Sequence, residues 1–518
     1  MPWKIPRWVW LTLPLAYVLY FYQLGATGVL GPDEPRYASV GREMARSGDW
    51  ITPRLWGEPW FEKPALLYWM TGAAFRAGFG PDLAPRLPVA LLAAGFLAFF
   101  WWILNREYNR RVAWLGVLIL GSSVGWQGLG QAGVTDLPLA ATFGGAMLLA
   151  LPWVARDDTR TLPLAAALMG LAVLAKGPLA MVLALPVALR GRRLRDLARG
   201  RVVGPFLAVS VPWYLFCYLK NGNVFLKVFL VRHNLQRFTS SETILHGQPW
   251  WFYIPVLVGA LLPWAPLVAL SARRATVRDP RKAFLLVWVV WGLAFFSLAA
   301  NKLPAYILPL LPGAAVLMAL GLDELANARP WLAACALLLV AFPIAAPLAA
   351  SALEMGLSRA IRPVFDITWL APLGVAALVW FLESRGRRMA AAVCLAAGVA
   401  AGAVYVKDSA VPALERMPSP RALWLRVAPH AGDVCTDHLN RNWQYGLNYY
   451  AGAALPDCSE HPAPWQVRQA PGQTPRLAEP DIAPPARPAV VPFDAIRPGT
   501  VDPAGHGIVP SRIREKSL

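Results

Sequence analysis

Charge is what this chain has least of. Only 15% of its 518 residues are Asp, Glu, Lys or Arg, against about a quarter in ordinary soluble proteins. Apolar residues make up 57% and the mean hydropathy is +0.43, which excludes an ordinary soluble enzyme and leaves a polytopic membrane protein. Cysteine is scarce too, and five residues are too few for a disulfide-stapled scaffold. Acids are the rarer sign, 30 against 49 basic residues, for a net charge of +19. That excess does not point to nucleic acid, because the basic residues sit in short links between apolar runs and not on one aromatic-studded face. The runs themselves are almost empty of ionisable groups and the two halves show no repeat, which argues against a transporter. No cleavable signal peptide is expected, since the first run lacks a small-residue cleavage site and passes into Tyr17, Tyr20, Phe21 and Tyr22.

Apolar runs suited to about 30 Å of hydrocarbon occur at residues 8–24, 88–104, 112–126, 137–154, 162–175, 178–189, 202–219, 251–270, 284–300, 303–322, 331–350, 368–382 and 389–406. They predict about 13 transmembrane helices, or twelve if the pair flanking Lys176-Gly177 is one bent helix. Thirteen crossings put 22 Lys and Arg in the links of one side and 4 in the short links of the other. The positive-inside rule then makes the N-terminus cytoplasmic, with residues 25–87, 220–250 and the tail from Lys407 outside. The expected organisation is an all-α transmembrane domain over residues 1–406, a small outward α/β domain over 407–461, and a Pro/Ala-rich extended or disordered tail over 462–518. Within the tail, residues 433–435 read as a strand and 443–450 as an amphipathic element. Cys435 and Cys458 face an oxidising compartment there and are predicted to pair, whereas Cys217, Cys335 and Cys394 fall in spans and read as packing residues.

The polar residues that remain collect in the outward loops. Asp33 and Glu34 precede Pro35 and a stripe of Tyr37, Val40, Gly41 and Met44, which predicts a short amphipathic helix. Either acid can be an N-cap or can act as a base or metal ligand. A second interfacial helix is expected from Pro64, with Trp60, Phe61, Tyr68 and Trp69 at headgroup level. Glu62 and Lys63 stand before it, and a cation at that depth can meet a lipid phosphate. Asp136 is the sole charge of its link and reads as an N-cap or as a second acid across the outer cavity. Lys176 and Lys302 occupy short outer turns where the positive-inside rule disfavours them, so each is a snorkelling anchor or a contact to an anionic ligand. Residues 231–238 add His233 and Arg237, the latter with a planar fork suited to phosphate.

These segments together resemble the polyprenyl-phosphate-dependent glycosyltransferases of the GT-C type, the lipid A 4-amino-4-deoxy-L-arabinose transferase family and its protein O-mannosyltransferase relatives. The resemblance rests on Asp33-Glu34-Pro35-Arg36-Tyr37-Ala38, Phe61-Glu62-Lys63-Pro64, Thr135-Asp136-Leu137-Pro138, Ala175-Lys176-Gly177-Pro178, His233-Asn234-Leu235-Gln236-Arg237-Phe238 and the run from Asn301 through Lys302 and Tyr306 to Pro309. It covers roughly residues 8 to 320; the tail from Lys407 departs from it, which leaves sugar and acceptor open. It implies a GT-C bundle in a bacterial inner membrane and an inverting transfer from an undecaprenyl-phosphate-linked sugar to lipid A or another envelope acceptor at the periplasmic face. In that light Asp33, Glu34 and Asp136 are catalytic candidates, and Lys63, Arg237, Lys302, Lys176, Tyr37 and Tyr306 are candidates for the lipid phosphate. Glu62 and His233 are a candidate pair for a divalent ion, and no organic cofactor is expected. A rival from another class is a lipid-linked-sugar flippase, which needs the phosphate-binding cations but no base at Asp33.

Overall fold

The computed structural model describes residues 12–190, 194–229, 247–271, 279–355, 363–416, 419–470 and 473–478. Its first part is helical: α1 (Thr12–Tyr20), α2 (Asp33–Ser47), α3 (Leu66–Arg76), α4 (Leu87–Glu107), α5 (Arg110–Gly121), α6 (Val124–Leu129), α7 (Asp136–Leu149), α8 (Leu151–Arg156) and α9 (Leu162–Lys176). Among the described residues eight helices are long and apolar enough to cross a membrane, nine if a bent pair counts as one span. The chain is therefore a multi-pass membrane protein, but these lengths do not reach thirteen. α5 and α9 have 12 and 15 residues and rise only about 18 and 22 Å, short of about 30 Å of hydrocarbon.

The shortfall has local causes. At the end of α5 the Ser122 and Ser123 hydroxyls donate back to the Leu118 and Ile119 carbonyls, a backbone competition that ends helices. Gly177 closes α9 with φ 78°, and the apolar run beyond it splits into Leu179–Leu183 and Leu185–Arg190. The run expected at 251–270 is two pieces, Tyr253–Ala260 and Ala265–Ser271, bent by 112°.

Burial orders the bundle. The stretch Asp136–Arg156 is enclosed by protein along its whole apolar window and Pro304–Glu324 along 89% of it, whereas Gly200–Asn221 is enclosed over only 22%. Helices buried all round form the axis and the others offer a face to lipid. Both axial stretches start at one end of the bundle, with Asp136 and with the Lys302–Tyr306 segment. α9 packs against both α7 and Gly200–Asn221, which brings Lys176 to the same end.

α2 and α3 lie against each other and are joined by a hairpin, β1 (Arg54–Leu55) and β2 (Glu58–Pro59). Its turn, Trp56-Gly57, holds φ 55° and 90°, the left-handed geometry of two-residue hairpins, and the Glu43 carboxylate accepts from Gly57 N at 3.0 Å. Phe61 packs edge-on to Phe225 at 5.2 Å and Tyr68 is fully buried. These two aromatics expected at headgroup level are thus interior, because the loop folds down onto the helices.

The C-terminal part carries β3 (Val434–Asp437), parallel to β4 (Trp465–Arg468), with β5 (Arg476–Ala478) antiparallel to β4. Helices Pro420–Val427 and Arg441–Ala451 cover the sheet through Leu423, Val427, Trp443 and Leu447. β4 and β5 come from residues assigned by composition to the extended tail. Pro and Ala dominate there and mask the short alternation at Trp465 and Val467. The unit seats on the 25–87 loop: Tyr450 accepts from Val29 N and donates to Asp82, and Arg421 pairs with Asp82 and Glu415. Gly28 has no room for a side chain, since a Cβ there would lie 2.5 Å from Ser419 Oγ and 2.6 Å from the Tyr450 hydroxyl.

Cys435 and Cys458 are joined as a disulfide 23 residues apart, while Cys217 and Cys335 are buried and unpaired. A loop of that length is worth about 3 kcal/mol. Cys435→Ser with Cys458→Ser is expected to lower the protease resistance of the 420–478 unit by that amount and leave the helical bundle intact, as read by limited proteolysis.

Candidate active site

The site rests on a buried ion pair. Glu34 and Arg86 are each 4% exposed, and the guanidinium donates to both carboxylate oxygens through Nε at 2.8 Å and Nη2 at 2.7 Å. Arg86 also donates to the carbonyls of Thr27 and Gly28 at 2.6 and 2.8 Å. Glu34 accepts from the backbone N–H groups of Leu30 and Gly133, both at 2.9 Å. Burial alone would lift the Glu34 pKa, but the Arg86 charge and these hydrogen bonds outweigh it and hold it below the usual carboxylate range. Glu34, expected among the catalytic acids, has its oxygens committed to structure. The knot fixes the loop before α2, the start of α4 and the turn that leads to Asp136.

Asp33 opens α2 but makes no N-cap hydrogen bond. Its Oδ1 accepts from Arg36 at 2.6 Å, and Arg36 reaches Glu62 at 3.1 Å on its other arm, with Lys63 3.4 Å from the opposite Glu62 oxygen. The side chain of Asp33 is 43% exposed, whereas those of Arg36 and Glu62 are about 5%. Asp33 is therefore the acid of the chain Asp33-Arg36-Glu62-Lys63 that faces open space. Tyr37 and Tyr68 line the same wall with ring centroids 6.0 Å apart. Burial, then the Glu62 charge, pushes both hydroxyls well up, so they stay protonated donors. The Arg36 guanidinium lies 5.7 Å from the rings of both Trp60 and Tyr445, so the C-terminal unit supplies part of this wall.

Asp136 begins α7 and likewise makes no capping bond, because Lys176 donates to its Oδ1 at 2.6 Å. The Lys176 ammonium also sits 4.7 Å from the Tyr306 ring centroid, and the Asp33 charge acts on it. Asp33, Asp136, Lys176 and Tyr306 thus form one electrostatic neighbourhood although they come from four separate elements. Lys302 is 7% exposed and donates to the Gln248 carbonyl at 2.9 Å. Among the described residues no carboxylate pairs with it.

His233 and Arg237 lie outside the described residues. Among the described residues no group of three or more His, Cys, Asp or Glu is placed to hold a metal, and Glu62 already serves Arg36 and Lys63. A divalent ion at Glu62 would compete with these two cations for its oxygens. Arg36, Arg86 and Tyr445 were not singled out from sequence. Arg36 had a signal in its i, i+3 spacing from Asp33; the other two had none.

The sequence pattern of the Alg9-like mannosyltransferase family matches residues 68–368, more than half the chain. Over 344 residues the chain is 37% identical to undecaprenyl phosphate-alpha-4-amino-4-deoxy-L-arabinose arabinosyl transferase 2 of Pseudomonas fluorescens, covering 62% of this chain and 58% of that one. Over 329 residues it is 35% identical to the corresponding transferase of Pseudomonas paraeruginosa, covering 60% and 59%. It therefore spans under two thirds of the length of these curated relatives. The crystal structure of ArnT from Cupriavidus metallidurans bound to undecaprenyl phosphate superposes with a TM-score of 0.72 at 23% identity, over 89% of this chain and 93% of that chain, a likeness of fold. By the match over residues 68–368, the chain belongs to the Alg9-like mannosyltransferase family.

Proposed function

We propose that this protein is an inverting glycosyltransferase that moves a sugar from a polyprenyl phosphate to a lipid A-type or other envelope acceptor at the periplasmic face of a bacterial inner membrane. The observation that carries the reading is a half-exposed carboxylate, Asp33, at the mouth of an otherwise buried cluster of cations. The acceptor oxygen attacks the anomeric carbon from the side opposite the carrier. The new C–O bond forms as the bond from carbon to phosphate oxygen breaks, and the electron pair leaves on the phosphate. Asp33 takes the proton of a hydroxyl acceptor, a step an already ionised phosphate acceptor does not need. Lys63 and Lys302, with Arg237, hold the charge that develops on the leaving phosphate. Lys176 and Asp136 neutralise each other and orient the site, with the hydroxyls of Tyr37 and Tyr306 as donors to the substrate.

The disulfide supports placing the C-terminal unit in an oxidising compartment, with the N-terminus in the cytoplasm. A divalent ion at Glu62 and His233 is a separate proposal, and no step is routed through it. EDTA dialysis decides it, since transfer that survives chelation removes the ion from the account.

The test is reconstitution with an undecaprenyl-phosphate-linked sugar and a panel of acceptors. Sugar-modified acceptor with release of undecaprenyl phosphate supports the reading, whereas movement of the intact donor across the bilayer without transfer supports a flippase.

A further inference from the structure

At the far end of α2 and α3 is an opening of about 400 Å³ lined by Arg42, Arg46 and Arg76, with Phe75, Phe79 and Pro81 among its apolar walls. Among the described residues no carboxylate lines it. The acids nearest in sequence are engaged elsewhere: Glu43 accepts from Gly57 N, Asp49 pairs with Lys220 at 2.9 Å, and Asp82 is held by Arg421 and Tyr450. Arg46 and Arg76 lie in the last turns of their helices, where a single cation offsets the helix dipole. Arg42 has no such explanation. It stands at i, i+4 from Arg46, a like-charge spacing that costs stability, and it donates to the Tyr449 carbonyl while lying 4.6 Å from that ring's centroid. Burial, together with the Arg46 charge, draws its pKa down. The Glu43 charge offsets this only in part, and the cluster remains a concentration of positive charge that an anion would relieve.

We infer that this opening is a subsite for the phosphate-monoester headgroup of an amphiphile. Guanidinium forks match phosphate oxygens bidentately, and Phe79, 41% exposed beside them, suits the apolar part of such a molecule. Arg42 and Arg46 follow Asp33 on one helix by about 14 and 20 Å, so the subsite is distinct from the reacting centre. Two sources share this chemistry, a phosphate of the acceptor and an anionic lipid of the bilayer. The acceptor source rests on the transferase reading above.

The experiment places the full-length protein in phosphatidylcholine nanodiscs and titrates it with short-chain phosphatidic acid and with lipid A, beside an undecaprenyl-phosphate-linked sugar, a phosphodiester, as a reference. Arg46→Gln with Arg76→Gln is expected to weaken phosphate-lipid binding roughly tenfold or more and leave binding of the phosphodiester-linked sugar unchanged; Arg46→Lys with Arg76→Lys recovers only part of the loss. Loss confined to lipid A assigns the acceptor source, with a raised KM for acceptor at unchanged kcat; loss confined to phosphatidic acid assigns the bilayer source. Equal binding of both lipids by wild type and variant overturns the subsite. A wild type that shows Arg-dependent phosphate-lipid binding but no sugar transfer would refute the transferase reading and leave the subsite standing.

Discussion

Asp33→Asn is expected to lower transfer to a hydroxyl acceptor about 10²- to 10⁴-fold while donor affinity changes little. Asparagine keeps the size of the side chain and an oxygen for the Arg36 hydrogen bond, so the link through Arg36 to Glu62 survives. What disappears is the group able to accept a proton at the open end of that chain. Fold loss is not the expected cause, because the Asp33 side chain is 43% exposed and does not cap α2. The acceptor sharpens the prediction: an acceptor that attacks through an ionised phosphate gives up no proton, so the same substitution then costs far less. Initial rates with the two acceptor types separate the roles. Equal rates for wild type and variant on a hydroxyl acceptor would remove Asp33 from the chemistry.

The largest expected stability effect is at Arg86. Arg86→Met leaves Glu34 buried with no counter-charge, and breaking a buried pair from one side costs about 3–5 kcal/mol. The sign with pH follows from the Glu34 carboxylate. In the native protein its pKa is depressed, so its contribution is present above the unfolded carboxylate pKa and is lost as pH falls through the lower folded value. In the variant burial, the largest influence on Glu34, is opposed only by the Gly133 and Leu30 hydrogen bonds among those named above and raises the folded value, so the penalty is present at neutral pH and is relieved on acidification. Thermal unfolding in detergent should therefore show a lowered Tm at pH 7 that recovers toward pH 5. A wild-type Tm in the variant would show that Gly133 and Leu30 alone can hold Glu34.

Scarcity made part of the site legible in sequence. A chain with 30 acids exposes Asp33 and Asp136 by their positions beside apolar runs, and Lys176 and Lys302 by occupying short turns on the side that the positive-inside rule expects to hold few cations. Their convergence was not legible, because Asp136 meets Lys176 across 40 residues and depends on how α7 and α9 pack. Glu34 reads like its neighbour Asp33 in one dimension. Only the partners Arg86 and Gly133, 52 and 99 residues away, show that it is structural. Hydropathy likewise records apolar length but not the breaks at Ser122-Ser123 and Gly177, or the bend after Ala260, so among the described residues fewer single helices than expected runs reach spanning length.

The central claim is that the half-exposed Asp33 and the cations around it move a sugar and not merely bind its carrier. The most direct measurement uses an undecaprenyl phosphate donor with an isotopically labelled sugar of known anomeric configuration. Purified protein in liposomes is given donor and acceptor, and the product is read by mass spectrometry and NMR. The account predicts labelled acceptor of inverted anomeric configuration, one undecaprenyl phosphate released per sugar, and loss of both in Asp33→Asn with a hydroxyl acceptor. Retained anomeric configuration, or donor that crosses the bilayer with its sugar still attached and no labelled acceptor, would contradict it.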